Sequence, residues 1–260
     1  MSGAAEETPA QSDDLLTDQL PDQPAGDAMP AEHVGAWIPH VVPFVAWIFL
    51  MGLLGDPAGW KYAVRSVLCL VLFCAMRPWR FKYPPLKLRH VPAAVGIGLF
   101  VFAFWVFPQS DFFARFETLH RIYLRVGMQM PWSLSPPLEQ IRYAPELEGW
   151  LFALTRLAGS ALVIAVIEEF FWRGWMYRWV QKEDFLSVDP GHFDAKAFWI
   201  TAALFASIHH EWVAGLLCGM VYGWFYIRTR DIWAVSIAHV VTNAVLGIYV
   251  LWSGKYEFWA

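Results

Sequence analysis

The chain has few charged residues and few cysteines. Asp, Glu, Lys and Arg make up 16% of its 260 residues, compared with about 25% in a typical soluble domain. Lys and Arg form no long basic block, so we expect no nucleic-acid partner. No basic segment precedes the first apolar run, so we expect no secretory signal peptide. The three cysteines all lie in apolar segments and are interpreted as buried, inert thiols: Cys69, Cys74 and Cys218.

Hydrophobic residues are abundant and lie in long runs. They make up 57% of the chain, compared with about 45–50% in soluble domains. A run of about 20 apolar residues can cross a bilayer as a helix. The sequence therefore predicts an all-α, polytopic transmembrane bundle of about seven helices in a lipid bilayer. An eighth span results if the segment from Gln109 to Pro137 enters the bilayer. The seven predicted spans are residues 36–55, 58–76, 91–107, 149–180, 197–208, 212–227 and 232–252.

The first 33 residues differ in composition from the rest of the chain. They contain eight acidic residues and neither Lys nor Arg, and they are rich in Pro, Ala, Asp and Gln. Such a segment cannot bury a hydrophobic core. We therefore predict a disordered acidic tail at residues 1–33 and a membrane domain at residues 34–260. The polar motifs described below occupy a core at about residues 145–250.

Basic residues cluster in three of the loops that join the predicted spans, at residues 77–90, 178–196 and 228–230. Cytoplasmic loops carry an excess of Lys and Arg, and a seven-span topology puts these three loops on one side. We therefore predict that they and the amino terminus are cytoplasmic. The opposite loop, residues 109–148, has apolar residues at helical spacing and is predicted to include an interfacial amphipathic helix. His33 and His90 lie outside the spans and are interpreted as solvated.

Two adjacent glutamates, Glu168 and Glu169, lie in an apolar run that ends at Arg173. A carboxylate within the bilayer costs about 2.5–3.5 kcal/mol on insertion scales. Two in succession therefore indicate a functional site that faces a protein interior or a water-filled cavity. Glu169 and Arg173 are four residues apart, so they share a helix face and can pair. Glu168 points about 100° away from Glu169.

Two further polar groups lie in or beside apolar helices. The first is the pair His209 and His210, and the second is His239 with Asn243, which share a helix face because they are four residues apart. We counted residues from the predicted cytoplasmic helix ends at about 1.5 Å per residue. This places His209, His239, Asn243 and Glu168 at a similar depth, roughly 13–20 Å below the surface. The sequence therefore predicts that three helices present polar groups at one level.

The three groups resemble the signature of the CAAX prenyl protease-like intramembrane proteases. This family, also called CPBP or Abi, includes the Ras-converting CAAX endopeptidase. Its signature reads E-E-x-x-x-R, then F-x-x-x-H, then H-x-x-x-N. The resemblance covers about residues 145–250 and implies an intramembrane endopeptidase that cleaves a membrane-anchored peptide or protein. The matching segments are Glu168-Glu169-Phe-Phe-Trp-Arg173, Phe205-Ala-Ser-Ile-His209 and His239-Val-Val-Thr-Asn243.

The resemblance also implies roles for individual residues. Glu168, helped by Glu169, would act as general base on a water molecule. His209 would orient that water or relay a proton. His239 and Asn243 would donate hydrogen bonds to the tetrahedral oxyanion, each worth about 2.7–4 kcal/mol. Our own hypothesis is that an arginine pairs with Glu169 and leaves Glu168 free to cycle protons. The predicted supporting residues are Arg173, Phe205 and His210.

Other interpretations of the same residues stay open. Glu168, His209 and His239 can also be read as a three-ligand site for a divalent metal such as zinc. Buried Glu, His and Arg groups occur in proton-coupled transporters as well, so a transporter or an interaction scaffold is the alternative function. The small size and the lack of organelle signals favour a bacterial inner membrane. The family name implies prenylated CAAX tails, but the sequence does not identify the substrate.

Overall fold

The structure is a computed structural model that describes residues 29–54, 59–81, 83–128 and 144–259. Within these residues the chain is helical and contains no β-strand, which confirms the predicted all-α class. Most of the predicted tail, residues 1–28, lies outside the described residues. The same holds for residues 129–137 of the segment considered as an eighth span.

Seven helices, each of thirteen residues or more, form the bundle in the described part of the chain. Five are long and apolar enough to cross a bilayer, whereas α5 is shorter and α6 is less apolar, so the number of spans is approximate. The fifth helix ends before His209 and does not continue through the histidines. The helices are α1 (Trp37–Leu54), α2 (Gly59–Met76), α3 (Val91–Val106), α4 (Trp150–Trp179), α5 (Ala195–Ser207), α6 (Trp212–Thr229) and α7 (Ile232–Ser253).

Helix α4 alternates between α-helical and π-helical turns. Its regular ends are Trp150–Ala158 and Tyr177–Trp179. Between them lie the π segments Gly159–Ile164 and Phe170–Met176, which flank the α-helical turn Ala165–Glu169. Wide π turns inside α-helices occur frequently at functional sites. The sequence predicted one apolar span here and gave no sign of this alternation.

Shorter helical segments occupy the connections between the seven helices. The predicted interfacial helix is divided into three pieces after α3, at Asp111–Ala114, Glu117–Ile122 and Tyr123–Gly127. Its apolar side chains are exposed at Phe112 and Leu119, among others, as an amphipathic segment requires. The remaining short segments are Ala31–His33, Pro78–Arg80, Leu88–His90, Phe107–Gln109, Pro145–Glu148, Phe185–Ser187 and Tyr256–Trp259.

Helix α7 occupies the interior of the bundle, where it packs against α3, α4 and α6. Gly98 permits the closest approach, because a Cβ atom added there would lie 2.7 Å from the Cβ of Val241. The hydroxyl of Thr242 also donates to the Gly98 carbonyl at 2.8 Å. The position of α7 matters for the site, because this helix carries both His239 and Asn243.

The three basic loops meet at one end of the bundle. His33 donates from Nδ1 to Asp184 Oδ1 at 2.7 Å, which joins the start of the described chain to the loop after α4. His90 donates from Nδ1 to Asp231 Oδ2 at 3.0 Å, which joins the loop before α3 to the turn before α7. These contacts support a common side for the basic loops. The assignment of that side to the cytoplasm stays a prediction.

Two sequence interpretations are wrong in part. The histidines His33 and His90 are not solvated, because each ring is held by a buried aspartate and is only 9% and 14% exposed. Cys69 and Cys218 are buried as expected, but Cys74 is exposed. The thiol of Cys74 lies on the outward face of α2, which it shares with exposed apolar residues such as Val71.

Candidate functional site

Glu168 and Glu169 lie in α4, on the single α-helical turn between its two π segments. Glu168 is 8% exposed and Glu169 is 0% exposed. Both carboxylates therefore face the protein interior, as the cost of a charge in the bilayer predicted.

Two donors, from Arg173 and from His239, contact the same oxygen of Glu169. Arg173 donates from Nη1 to Glu169 Oε1 at 3.0 Å, which is the contact predicted from their four-residue separation. His239 approaches the same Oε1 with Nδ1 at 2.8 Å. Because a carboxylate only accepts hydrogen bonds, we assign the proton of this contact to His239 Nδ1. The other ring nitrogen, Nε2, then faces Glu168.

Glu168 has no comparable partner. Its Oε2 atom is buried and accepts no hydrogen bond from the described residues. The nearest cationic group is His239 Nε2, at 3.9 Å from that oxygen. A buried polar atom without a partner requires an explanation. Here the unpartnered oxygen lies beside the imidazole that the neighbouring glutamate holds in place.

Arg173 is fixed by more than its carboxylate partner. Its Nη2 donates to the carbonyl of Gly219 at 3.1 Å. The guanidinium lies 4.8 Å from the ring centre of Phe205 and 5.5 Å from that of Tyr222. Aromatic faces attract cations, and the attraction strengthens when water is excluded. The motif residue Phe205 therefore contributes to holding the arginine, and α6 supplies Gly219 and Tyr222.

His209 lies just after the end of α5, with its ring against Phe205. Its Nδ1 is 2.6 Å from the carbonyl oxygen of Phe205, which fixes the proton on Nδ1 and leaves Nε2 as an acceptor. The imidazole stacks on the Phe205 ring with centroids 4.4 Å apart. The Trp105 ring of α3 meets its edge at 5.6 Å. Phe205 thus contacts both Arg173 and His209.

Asn243 is anchored to α4. Its Nδ2 donates to the carbonyl of Ser160 at 2.9 Å, in the first π segment. The amide nitrogen has a second hydrogen, which this contact leaves unused. One residue earlier, Thr242 accepts a hydrogen bond from the Tyr222 hydroxyl at 2.6 Å, because its own hydrogen is donated to the Gly98 carbonyl. The polar side of α7 is therefore tied to both α4 and α6.

The structure brings most of the predicted site residues into direct contact. Glu168, Glu169, Arg173 and His239 form one cluster through the contacts above, and Phe205 joins His209 to it. Asn243 reaches the cluster only through α4. The His210 side chain is partly exposed and makes no hydrogen bond, ion pair or ring contact within the described residues. Tyr222 and Ser160 were not predicted as part of the site, since neither carries a charge.

Glu211, next to the predicted histidine pair, is a buried carboxylate. It is 4% exposed and immediately precedes α6. Gln109 donates to its Oε1 at 2.8 Å, and the Tyr123 hydroxyl donates to its Oε2 at 2.9 Å. Burial raises the pKa of the Glu211 carboxyl to about 7, against hydrogen bonds from Tyr123, Gln109 and Trp105 that lower the pKa.

A metal ion would be held by Glu168, His209 and His239, since both histidines direct Nε2 away from their backbone or carboxylate partners. Within the described residues, however, no group of three His, Cys, Asp or Glu side chains has the spacing of a metal site. The described residues as arranged therefore do not fit a metal ion.

Comparison with known proteins identifies a family for the part of the chain that carries the motifs. Residues 149–245 match the family of type II CAAX prenyl endopeptidase Rce1-like proteins. This match confirms the resemblance that the three motifs predicted, and it supports a protease acting in a membrane. No curated protein and no solved structure matches the chain.

Proposed function

We propose that the chain is an intramembrane endopeptidase in which Glu168 activates water to hydrolyse a membrane-anchored peptide or protein. The observation that carries this proposal is the contrast between the two glutamates. Glu169 accepts from Arg173 and His239 at 3.0 and 2.8 Å. Both side chains have a buried Oε2 atom without a hydrogen bond, but Glu168 accepts none on either oxygen from the described residues. A general base needs such a free carboxylate.

The chemistry follows from these positions. Glu168 takes a proton from water while the water oxygen attacks the scissile carbonyl carbon. The electron pair of the carbonyl moves to its oxygen, which becomes the oxyanion. The carbon–nitrogen bond then breaks, and Glu168 returns the proton to the leaving amine. Water is the only co-reactant, and the products are a carboxylate and an amine.

The other residues orient and stabilise the reacting groups. His209 accepts a hydrogen bond from the attacking water through Nε2, which its contact with the Phe205 carbonyl leaves unprotonated. His239, held at Nδ1 by Glu169, presents Nε2 to the oxyanion as a hydrogen-bond donor. Asn243 donates its second amide hydrogen. A preorganised donor of this kind is worth about 2.7–4 kcal/mol.

The family match supports a proposal for the substrate class. Type II CAAX prenyl endopeptidases are named for prenylated tails, so we propose a peptide whose lipidated cysteine lies in the bilayer beside the site. The family match favours this function over the transporter and scaffold alternatives.

A cleavage assay in liposomes tests the proposal. Purified protein is incubated with three quenched fluorescent peptides: a farnesylated peptide ending in a CAAX tail, an amino-terminally acylated peptide, and a transmembrane peptide. The variant Glu168→Gln is the test, and Glu183→Gln, at an exposed glutamate, is the matched control. Each reaction is run with and without a metal chelator, and mass spectrometry locates the cleaved bond.

Cleavage by the wild type and by Glu183→Gln, with none by Glu168→Gln, is the expected result. Activity that survives in Glu168→Gln would refute the assigned base. Wild-type protein that is folded and cleaves none of the three peptides would refute the proposed substrate class. Loss of activity in the presence of chelator would show that hydrolysis requires a metal ion.

A further inference from the structure

The segment that follows α3 contacts the short loop that carries His209. This segment, residues 107–128, is called here the outer segment. Two of its side chains, Gln109 and Tyr123, donate to the two oxygens of Glu211 at 2.8 and 2.9 Å. A third contact runs from the indole of Trp212 to the carbonyl of Val126. Three hydrogen bonds, two to Glu211 and one from Trp212, thus join the start of α6 to the outer segment.

The loop itself contains few other restraints. It consists of residues 208–211 between α5 and α6. Within it, the amide of His209 donates to the carbonyl of Ala206 at 3.1 Å, and that of Trp212 donates to the carbonyl of His210 at 3.1 Å. These local bonds shape the loop but do not fix its position against α3. The contacts of Glu211 fix that position. Its partner Gln109 lies one turn beyond Trp105 of α3, and the Trp105 ring contacts His209.

Glu211 is held at both ends of its carboxylate. Each oxygen accepts a hydrogen bond, one from Gln109 and one from Tyr123. The side chain is 4% exposed, so water does not replace either donor. A neighbouring cation, Lys255, donates to the Gln109 carbonyl at 3.3 Å and further fixes that residue. A buried carboxylate that is held at both oxygens fixes the segments that it joins.

We infer that Glu211 is a positioning residue, whose hydrogen bonds to Gln109 and Tyr123 hold the His209 loop against α3 in the geometry that hydrolysis requires. This inference rests on the proposed function for its effect on catalysis. The contact itself is independent of that function. Removing either donor takes a hydrogen bond from the buried Glu211 carboxyl, and the loop then shifts to restore one.

The test compares three variants with one control. Tyr123→Phe removes one donor and keeps the ring. Glu211→Leu removes both acceptors at similar volume. Glu211→Gln is the conservative variant, because its carbonyl accepts from Tyr123 and its amide donates to a flipped Gln109 side chain. Tyr249→Phe is the control, since the Tyr249 ring touches Phe102 and its hydroxyl has no partner in the described residues.

Two measurements are made on each full-length variant in liposomes. The first is kcat and KM for the farnesylated CAAX peptide. The second is hydrogen exchange at the amides of residues 208–215, which needs no substrate. We expect Tyr123→Phe and Glu211→Leu to lower kcat at least about tenfold, with KM little changed, and to accelerate exchange at these amides. Glu211→Gln and Tyr249→Phe should resemble the wild type in both measurements.

The two readouts separate failure of this inference from failure of the proposed function. Unchanged exchange in Tyr123→Phe and Glu211→Leu would overturn the inference, whatever the activity. Faster exchange with unchanged kcat would overturn the positioning role. If the wild type cleaves no peptide, the proposed function fails and the catalytic role with it. Exchange then still decides whether Glu211 holds the loop.

Discussion

Replacing Glu169 should destabilise the fold, whereas replacing its neighbour Glu168 should not. Glu169 is fully buried and receives two hydrogen bonds on one oxygen, from Arg173 and from His239. Glu169→Gln keeps an amide oxygen but removes the negative charge that balances Arg173, which is 1% exposed. Breaking a buried pair in this way costs about 3–5 kcal/mol. For a chain of this size the melting temperature should fall by roughly 6–20 °C.

Glu168→Gln has no hydrogen bond to lose among the described residues, because Oε2 is unpartnered. Because the substitution removes a buried charge that lacks a hydrogen bond, the free energy of unfolding should stay the same or rise. Cleavage should nevertheless fall by about 10²–10⁴-fold, the usual contribution of a general base. Glu169→Gln should therefore lower stability, whereas Glu168→Gln should lower the rate of cleavage without lowering stability.

A double variant separates the ion pair from the histidine contact. Glu169→Gln with Arg173→Met removes both buried charges at similar volume, and such replacements are often neutral or stabilising. Stability should return, but cleavage should not, because His239 still lacks its carboxylate. Thermal unfolding followed by tryptophan fluorescence in detergent, together with the liposome assay, measures both quantities. Equal loss of melting temperature in Glu168→Gln and Glu169→Gln would refute this reasoning, as would a double variant as unstable as Glu169→Gln.

Three further predictions concern the surroundings of the site. Gly98→Val should force α7 away from α3 at a cost of about 1–3 kcal/mol and lower cleavage, whereas Gly96→Val, with open space around it, should not. Asp231→Ala should lower the free energy of unfolding by about 2 kcal/mol, since it removes the acceptor for two helix amides and for His90. Burial and the charge of Glu257 raise the pKa of Glu211 from 4.5 to about 7, so the folded state retains a proton there that the unfolded state releases. Stability should therefore fall between about pH 4.5 and 7, by about 3 kcal/mol in total, and urea or thermal titrations of Glu211→Gln should lack this fall.

The helices were largely predictable because an apolar run of sufficient length has few alternatives in a bilayer. The predicted spans 91–107 and 232–252 differ from α3 and α7 by one residue at one end. The π segments of α4 were not predictable, since they keep the same apolar run and change only the hydrogen-bond register. The interfacial helix was predicted as one element and is three, because exposed Phe and Leu side chains do not specify where a helix breaks.

The site was predictable where partners are near in sequence and not where they are distant. Glu169 and Arg173 were paired from their spacing, and the contact is present at 3.0 Å. The contact of Glu169 with His239, seventy residues away, depends on how α7 packs on α4. The burial of His33 and His90 was missed for the same reason. Each histidine was predicted to be solvated because it lies outside the spans, although a buried aspartate from a distant loop holds it.

The unequal surroundings of Glu168 and Glu169 follow from helix geometry and from the packing of α7 against α4. Adjacent residues on a helix point about 100° apart, so a single arginine one turn later can reach only one of the two carboxylates. Helix α7 then places His239 between them, with Nδ1 on the paired glutamate and Nε2 3.9 Å from the unpaired one. Glu169, the paired glutamate, balances the positive charge of Arg173 in the buried cluster. The unpaired one costs stability on its own, and a carboxylate retained at such a cost is expected where it performs chemistry.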